Sequence, residues 1–187
     1  MKRLFQLAVF VLMLTITSTT FAKNPHPERD SVNNGADLTK IETMAISAPN
    51  YYQTKISAPT AEQLVNILYE VGQSYKHSNK VQQIRVISYN ETINNIRQAI
   101  GTEAVYVEQF KEHVGDFSDA YILITVANPN KPNVFFDVYN SKTNAVMYSY
   151  QTTLARGYDF KAKNFKTLCK NFYTAFDEAI IDQLSQE

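Results

Sequence analysis

Apolar residues along this chain change their spacing several times, and each spacing predicts a different element. From Thr60 onward, Leu64, Leu68, Val71 and Tyr75 recur at i, i+4, i+7 and i+11, the single stripe of an amphipathic helix. Thr60 with Gln63 three places on is a capping-box pattern for its start, and Asn79-Lys80 ends it. Val81 to Tyr89 (VQQIRVISY) is rich in β-branched residues and predicts a strand. Asn90 is suited to cap a short helix carrying Ile93, Ile96 and Ile100, stopped by Gly101.

Four strand-like segments come next. Ala104 to Phe110 alternates, with Val105 and Val107 on one face. Ala120 to Ala127 (AYILITVA) is almost wholly apolar, as a central strand covered on both faces would be. Asn133 to Tyr139 turns Val134, Phe136 and Val138 inward, and Ala145 to Leu154 follows. Short, loop-like links (Asn128-Pro-Asn-Lys-Pro and Asn140 to Asn144) join the last three strands into an antiparallel meander. A long helix closes the chain from about Phe160, with Asp159 as its cap and Phe165, Leu168, Cys169, Phe172, Phe176, Ala179 and Ile180 on one side. The expected order is α-β-α-β-β-β-β-α, an α+β (mixed α/β) fold whose largely antiparallel sheet is packed by helices.

The N-terminus follows neither period. Lys2 and Arg3 precede an apolar run from Leu4 to Ile16 and then small and polar residues ending at Ala22, the layout of a secretory signal peptide over residues 1–22. That run is shorter than the roughly 20 apolar residues of a membrane span. Residues 23–59 are expected to be a flexible or extended leader, with His26 in its solvated part, and 60–187 a single α+β domain. The expected location is periplasmic or secreted. No cysteine follows the greasy core for acylation, so no lipid anchor is expected.

Charge and cysteine content narrow the function. The chain has 18 basic and 18 acidic residues, and loss of Lys2 and Arg3 leaves 16 against 18, without the basic excess of a nucleic-acid binder. Cys169 is the lone cysteine, so packing rather than an intrachain disulfide must hold the fold. Its place in the apolar stripe makes it a small hydrophobe and a poor nucleophile.

One stretch, "DAYILITVANPN…VFFDVYNSKTNAVMYSYQ" from Asp119 to Gln151, resembles the core of small bacterial envelope proteins: the outer-membrane lipoprotein activators of penicillin-binding proteins and the curli-secretion pore subunit. Asp119-Ala120-Tyr121 begins the central strand, and Asp137-Val138-Tyr139-Asn140-Ser141-Lys142-Thr143 forms the following hairpin. The resemblance implies the fold and a non-enzymatic style of binding, with no residue role carried over. The chain departs from that group in lacking the lipid-bearing cysteine.

Candidate chemistry is sparse. The sequence has no Gly-x-Ser-x-Gly elbow, Gly-rich phosphate loop or His-Glu-x-x-His. His113, Asp116 and Asp119 form a polar cluster able to bind a divalent metal or act as an acid/base pair, although a structural zinc wants four ligands and turn chemistry accounts for both carboxylates. His77 at the end of the first helix suits the dipole there. Lys163, Lys166 and Lys170 share one face of the last helix near its N-terminus, while Asp177, Glu178 and Asp182 occupy its C-terminal half, an order reversed with respect to the macrodipole. With Arg156 and Tyr158 just upstream, this basic end is a candidate site for an anionic partner. Tyr148 and Tyr150, with Phe135 and Tyr139, offer either an aromatic binding face or core under the last helix, and core is the preferred reading.

The expected function is that of an exported, non-enzymatic binding module of the envelope or extracellular space, using no cofactor. Its partner would be a protein, a glycan or an anionic lipid surface. One alternative is a type II-like secreted virulence factor binding host anionic lipid or glycan. The other is a metal-dependent hydrolase built on His113, Asp116 and Asp119.

Overall fold

A computed structural model describes residues 28–53, 55–127, 133–154 and 159–186. The signal-peptide segment, His26, Arg156 and Tyr158 lie outside the described residues. The fold is α+β: a six-stranded mixed sheet with helices on both faces. Strands β1 (Glu28–Val32), β2 (Thr43–Ile46), β3 (Arg85–Ile87), β4 (Ala120–Ala127), β5 (Asn133–Asn140) and β6 (Val146–Thr153) lie in the order β1-β6-β5-β4-β2-β3. The β4-β5-β6 meander and β1 are antiparallel, and β2 pairs in parallel with both β3 and β4.

Helices α1 (Ala61–Ser74) and α4 (Ala162–Leu184) cover one face. Helices α2 (Tyr89–Ile100) and α3 (Val107–His113), with a 3₁₀ turn at Val114–Asp116, cover part of the other. Crossover handedness accounts for this division. The chain steps outward from β2 to β3 through α1, then returns past β2 to β4 through α2 and α3, and right-handed crossovers in opposite directions place their helices on opposite faces.

Local signals hold where they are strong. Thr60 Oγ1 accepts from Gln63 N (3.1 Å) while Gln63 Oε1 accepts from Thr60 N (2.9 Å), completing the capping box. Gly101 ends α2 in the left-handed region (φ 66°). Ser88, not Asn90, caps α2, its Oγ accepting from Glu91 N at 3.1 Å. Asp159 does not cap α4, whose N-cap position is Lys161 and carries no side-chain cap; the Asp159 carboxylate pairs with Lys161 at 3.0 Å instead.

Two expected assignments are corrected. The leader reading fails over residues 28–50: β1 and β2 are strands of the same sheet, and Leu38, Ile41, Met44, Ala45 and Ile46 are core residues at most 3% exposed. The boundary at residue 60 therefore cuts through the sheet. The expected strand at 104–110 is replaced by a short approach followed by α3, which begins at Val107. Gln109 Oε1 accepts from Tyr106 N (3.0 Å), and Phe110 is the residue that inserts, while Val107 stays 61% exposed.

The larger core lies under α4. Tyr148, Tyr150, Phe136, Phe165, Phe172, Tyr173 and Phe176 are each at most 1% exposed, so Tyr148 and Tyr150 are core, the preferred reading. Cys169 is fully buried there, and burial pushes its thiol well above the ordinary value. Helices α1 and α4 touch so closely at Gly72 that an added Cβ would overlap the Tyr173 phenol and stand 2.9 Å from Val86 Cγ2. Gly72→Ala is expected to lower unfolding free energy by about 1–3 kcal/mol in a urea melt, because overpacking there must displace a ring wedged between two elements.

Candidate functional site

The less covered face of the sheet carries the candidate site. Its floor comes from paired positions on β4 and β5: Tyr121 and Tyr139 stand opposite each other, and their rings stack with centroids 5.0 Å apart and 6° between planes. Leu123 continues the floor along β4. The walls are Tyr89 and Ile93 from α2, then Val105, Tyr106, Val107 and Phe110 at the start of α3. Phe110 meets Tyr121 edge-on at 5.4 Å. The segment Ser47–Asn50, Lys111 and Asn144 form the rim of this open groove of about 500 Å³.

The groove exists because its two covering helices are short. With 12 and 7 residues, α2 and α3 reach over β3, β2 and part of β4 only. The rim is fixed by backbone bonds: Asn50 N donates to Ile124 O (2.8 Å), and Val126 N donates to Asn50 O (3.1 Å). Asn144, in the left-handed region at φ 55°, accepts from Tyr121 OH (3.1 Å) and donates to Lys111 O (3.2 Å).

Electrostatically the groove is nearly neutral. Burial pushes the Tyr121 phenol up to about 12, and burial followed by the nearby Asp137 raises Tyr139, so both hydroxyls stay protonated donors at neutral pH. The lining residues include no carboxylate, imidazole or thiol. What the groove offers is aromatic surface, phenol and amide hydrogen bonds, and one rim ammonium.

The other candidates are placed as follows. Asp119 is a structural bracket: its Oδ2 accepts from Glu42 N (3.1 Å), Thr43 N (2.9 Å) and Thr43 Oγ1 (2.8 Å), tying β2 to the start of β4. His113 Nδ1 stands 3.4 Å from Asp116 Oδ2, on the exposed side of the 3₁₀ turn. Among the described residues no group of three or more His, Cys, Asp or Glu is placed to hold a metal ion. Lys163, Lys166 and Lys170 are exposed, and none has an ion-pair partner among the described residues. His77 is not a solvated dipole partner. Its side chain is 2% exposed and its Nδ1 donates to Asp177 Oδ1 at 2.5 Å, so Asp177 is a buried tie rather than part of an acidic surface.

No family model matches the chain, and no curated protein matches it. Among solved structures, it is similar to the PelC dodecamer protein of Paraburkholderia phytofirmans (10% identity over 81% of this chain and 97% of that one, TM-score 0.48). It is also similar to the LpoB C-terminal domain of Escherichia coli (11%, 66% and 88%, TM-score 0.43) and to lipoprotein GNA1162 of Neisseria meningitidis (9%, 77% and 96%, TM-score 0.41). No helix among the described residues is long and apolar enough to cross a membrane.

The groove itself was not visible in the sequence. Its usable signals were Gln109, which can hold a helix start at Tyr106, and Tyr121 and Tyr139, which alternate away from the larger core on β4 and β5.

Proposed function

We propose that this chain is a non-enzymatic binding module, exported to the bacterial envelope or the extracellular space, and that the groove over Tyr121 and Tyr139 takes an apolar segment of a protein partner. One observation carries the reading. Tyr106 and Val107 stand 71% and 61% exposed on the wall of an aromatic-floored groove. Large apolar side chains beside a concave aromatic surface are the usual anchors of protein recognition. The lining supplies contact area and neutral hydrogen bonds rather than groups that move protons, which supports binding over turnover.

The experiment is site-specific photo-crosslinking from position 106 in the source cell. It should yield one discrete adduct in the envelope or culture-medium fraction, and Val107→Lys should remove it. Tyr106→Ala with Val107→Ala is expected to weaken the purified pair by about 30-fold, while unfolding free energy shifts by no more than ~0.5 kcal/mol. An adduct that persists with Val107→Lys overturns the assignment of the groove. Fractionation tests the address: material held in the cytosol with Met1 retained would defeat the export reading.

A further inference from the structure

A second surface forms where α4 begins. Tyr51 packs edge-on against Phe160 with ring centroids 5.9 Å apart, and Phe160 in turn meets Phe165 at 6.0 Å. These contacts fix the loop after β2 beside the N-terminus of α4. Its tip is a closed turn, with Ala58 N donating to Lys55 O (3.0 Å) and Gln53 Nε2 donating to the carbonyls of Lys55 and Ala58. Among its exposed residues this held loop presents two large apolar side chains: Tyr52 is 85% exposed and Ile56 fully exposed, at 103%.

Lysines are exposed on the same loop and on the helix end it packs against. Lys55 is exposed on the loop, and Lys161, Lys163, Lys166 and Lys170 are exposed on the adjoining end of α4. Asp159 pairs with Lys161 at 3.0 Å, and among the described residues the other four have no ion-pair partner. Contacts of Leu68 with Tyr173, Tyr75 with Thr174 and His77 with Asp177 advance together, so α1 and α4 run in the same direction and begin at the same end. There α1 adds one acid in its first turn, Glu62. The exposed acids of α4, Glu178 and Asp182, lie far away, Glu178 roughly 22 Å along the axis from Lys163. The molecule is thus polarised along α4, with its cationic end also carrying the projecting apolar loop.

The geometry points to this end as a docking surface for a membrane rich in anionic lipid. The lysines meet headgroup phosphates while Tyr52 and Ile56 enter the interfacial region. Shape separates this occupant from a folded partner. Both apolar side chains stand almost wholly clear of the fold, which a soft interface accommodates and a protein partner would have to match with a pocket. The groove lies on the opposite face of the sheet, and this inference does not depend on it.

The test is vesicle co-sedimentation of the full chain, as the cell processes it, with phosphatidylglycerol–phosphatidylethanolamine vesicles against phosphatidylcholine vesicles. Binding to the first alone, fading with added salt, is expected. Lys163→Gln, Lys166→Gln and Lys170→Gln together should lower the partition coefficient roughly 100-fold. Tyr52→Ser with Ile56→Ser should lower it roughly 10-fold or more at unchanged net charge. All five positions are exposed, and circular dichroism checks that both variants keep the wild-type melting curve. Equal binding to phosphatidylcholine, or binding that both variants leave intact, overturns the proposal. So does capture by soluble polygalacturonate without capture by vesicles, which would make the surface a glycan site. A sedimentation-velocity shift from dimer to monomer in the lysine variant would make it a contact between copies, and would overturn it likewise.

Discussion

Asp177→Ala is expected to lower the unfolding free energy by about 3–5 kcal/mol, although it removes only a carboxylate from a helix. The carboxylate is 6% exposed and serves two donors at once: His77 Nδ1 at 2.5 Å through Oδ1, and Ser78 N at 2.8 Å through Oδ2. These bonds hold the segment after α1 against α4, across 100 positions of sequence. Truncation would strand an imidazole whose side chain is 2% exposed and whose Nε2 already has no partner among the described residues, together with a backbone N–H. Buried donors left unpaired cost far more than a hydrogen bond contributes on balance. For a domain of this size the loss corresponds to a melting temperature lower by roughly 10 °C. Glu178→Ala, one position on and exposed, should stay within about 0.5 kcal/mol. Replacing both side chains, His77→Leu with Asp177→Leu, should recover the part of the loss that comes from the stranded imidazole, while Ser78 N–H stays without its acceptor. A single variant melting with the wild type would show that the tie does not exist in solution.

The same pair marks where local reading stops. The α+β class, the β4-β5-β6 meander and the closing helix were legible because each rests on a periodicity confined to a few turns or strands. β1 was not, because Glu-Arg-Asp-Ser-Val has no buried alternation; it is an edge strand held by backbone pairing to β6, more than a hundred residues later. β2 has four residues between polar flanks, and its neighbours β3 and β4 come from about 40 and 75 residues on. Both strands therefore disappear into what composition describes as a leader. At 104–110 the alternation of Val105 and Val107 was real but did not report burial, since Val107 faces solvent on the groove wall.

The sites divide in the same way. The lysine face of α4 was readable because i, i+3 and i+7 lie within one helix. The groove was not, because its floor, walls and rim come from β4, β5, α2, the start of α3, the segment after β2 and the turn between β5 and β6. The His113, Asp116, Asp119 grouping dissolves for a related reason. Nearness in sequence suggested one centre, but Asp119 turns its carboxylate to β2 and works as a bracket. A groove assembled from six segments depends on the sheet beneath it, and that sheet is held from its other face by α4.

Phe172→Ala tests that dependence and should cost about 3–5 kcal/mol. Phe172 is fully buried at the centre of the aromatic core. Its ring stacks on Phe136 (centroids 4.9 Å apart, 15° between planes) and Phe176 (5.9 Å) and lies 5.0 to 6.3 Å from Tyr173, Tyr150 and Tyr148. It thereby joins α4 to β5 and β6 in one contact set. Truncation leaves a cavity that the ring of neighbours cannot collapse into without breaking its own contacts, and unfilled volume is what makes such substitutions expensive. Phe172→Leu keeps most of the volume and should cost about 1.5 kcal/mol or less. In urea the midpoint should fall for Phe172→Ala with an unchanged slope, because the surface exposed on unfolding stays the same. Groove occupancy by the cross-linked partner should persist in the fraction that remains folded, since Phe172 touches none of its lining. A wild-type midpoint for Phe172→Ala would mean that α4 does not cover the sheet in the way its aromatic stripe dictates, and the support for the groove on the other face would fall with it.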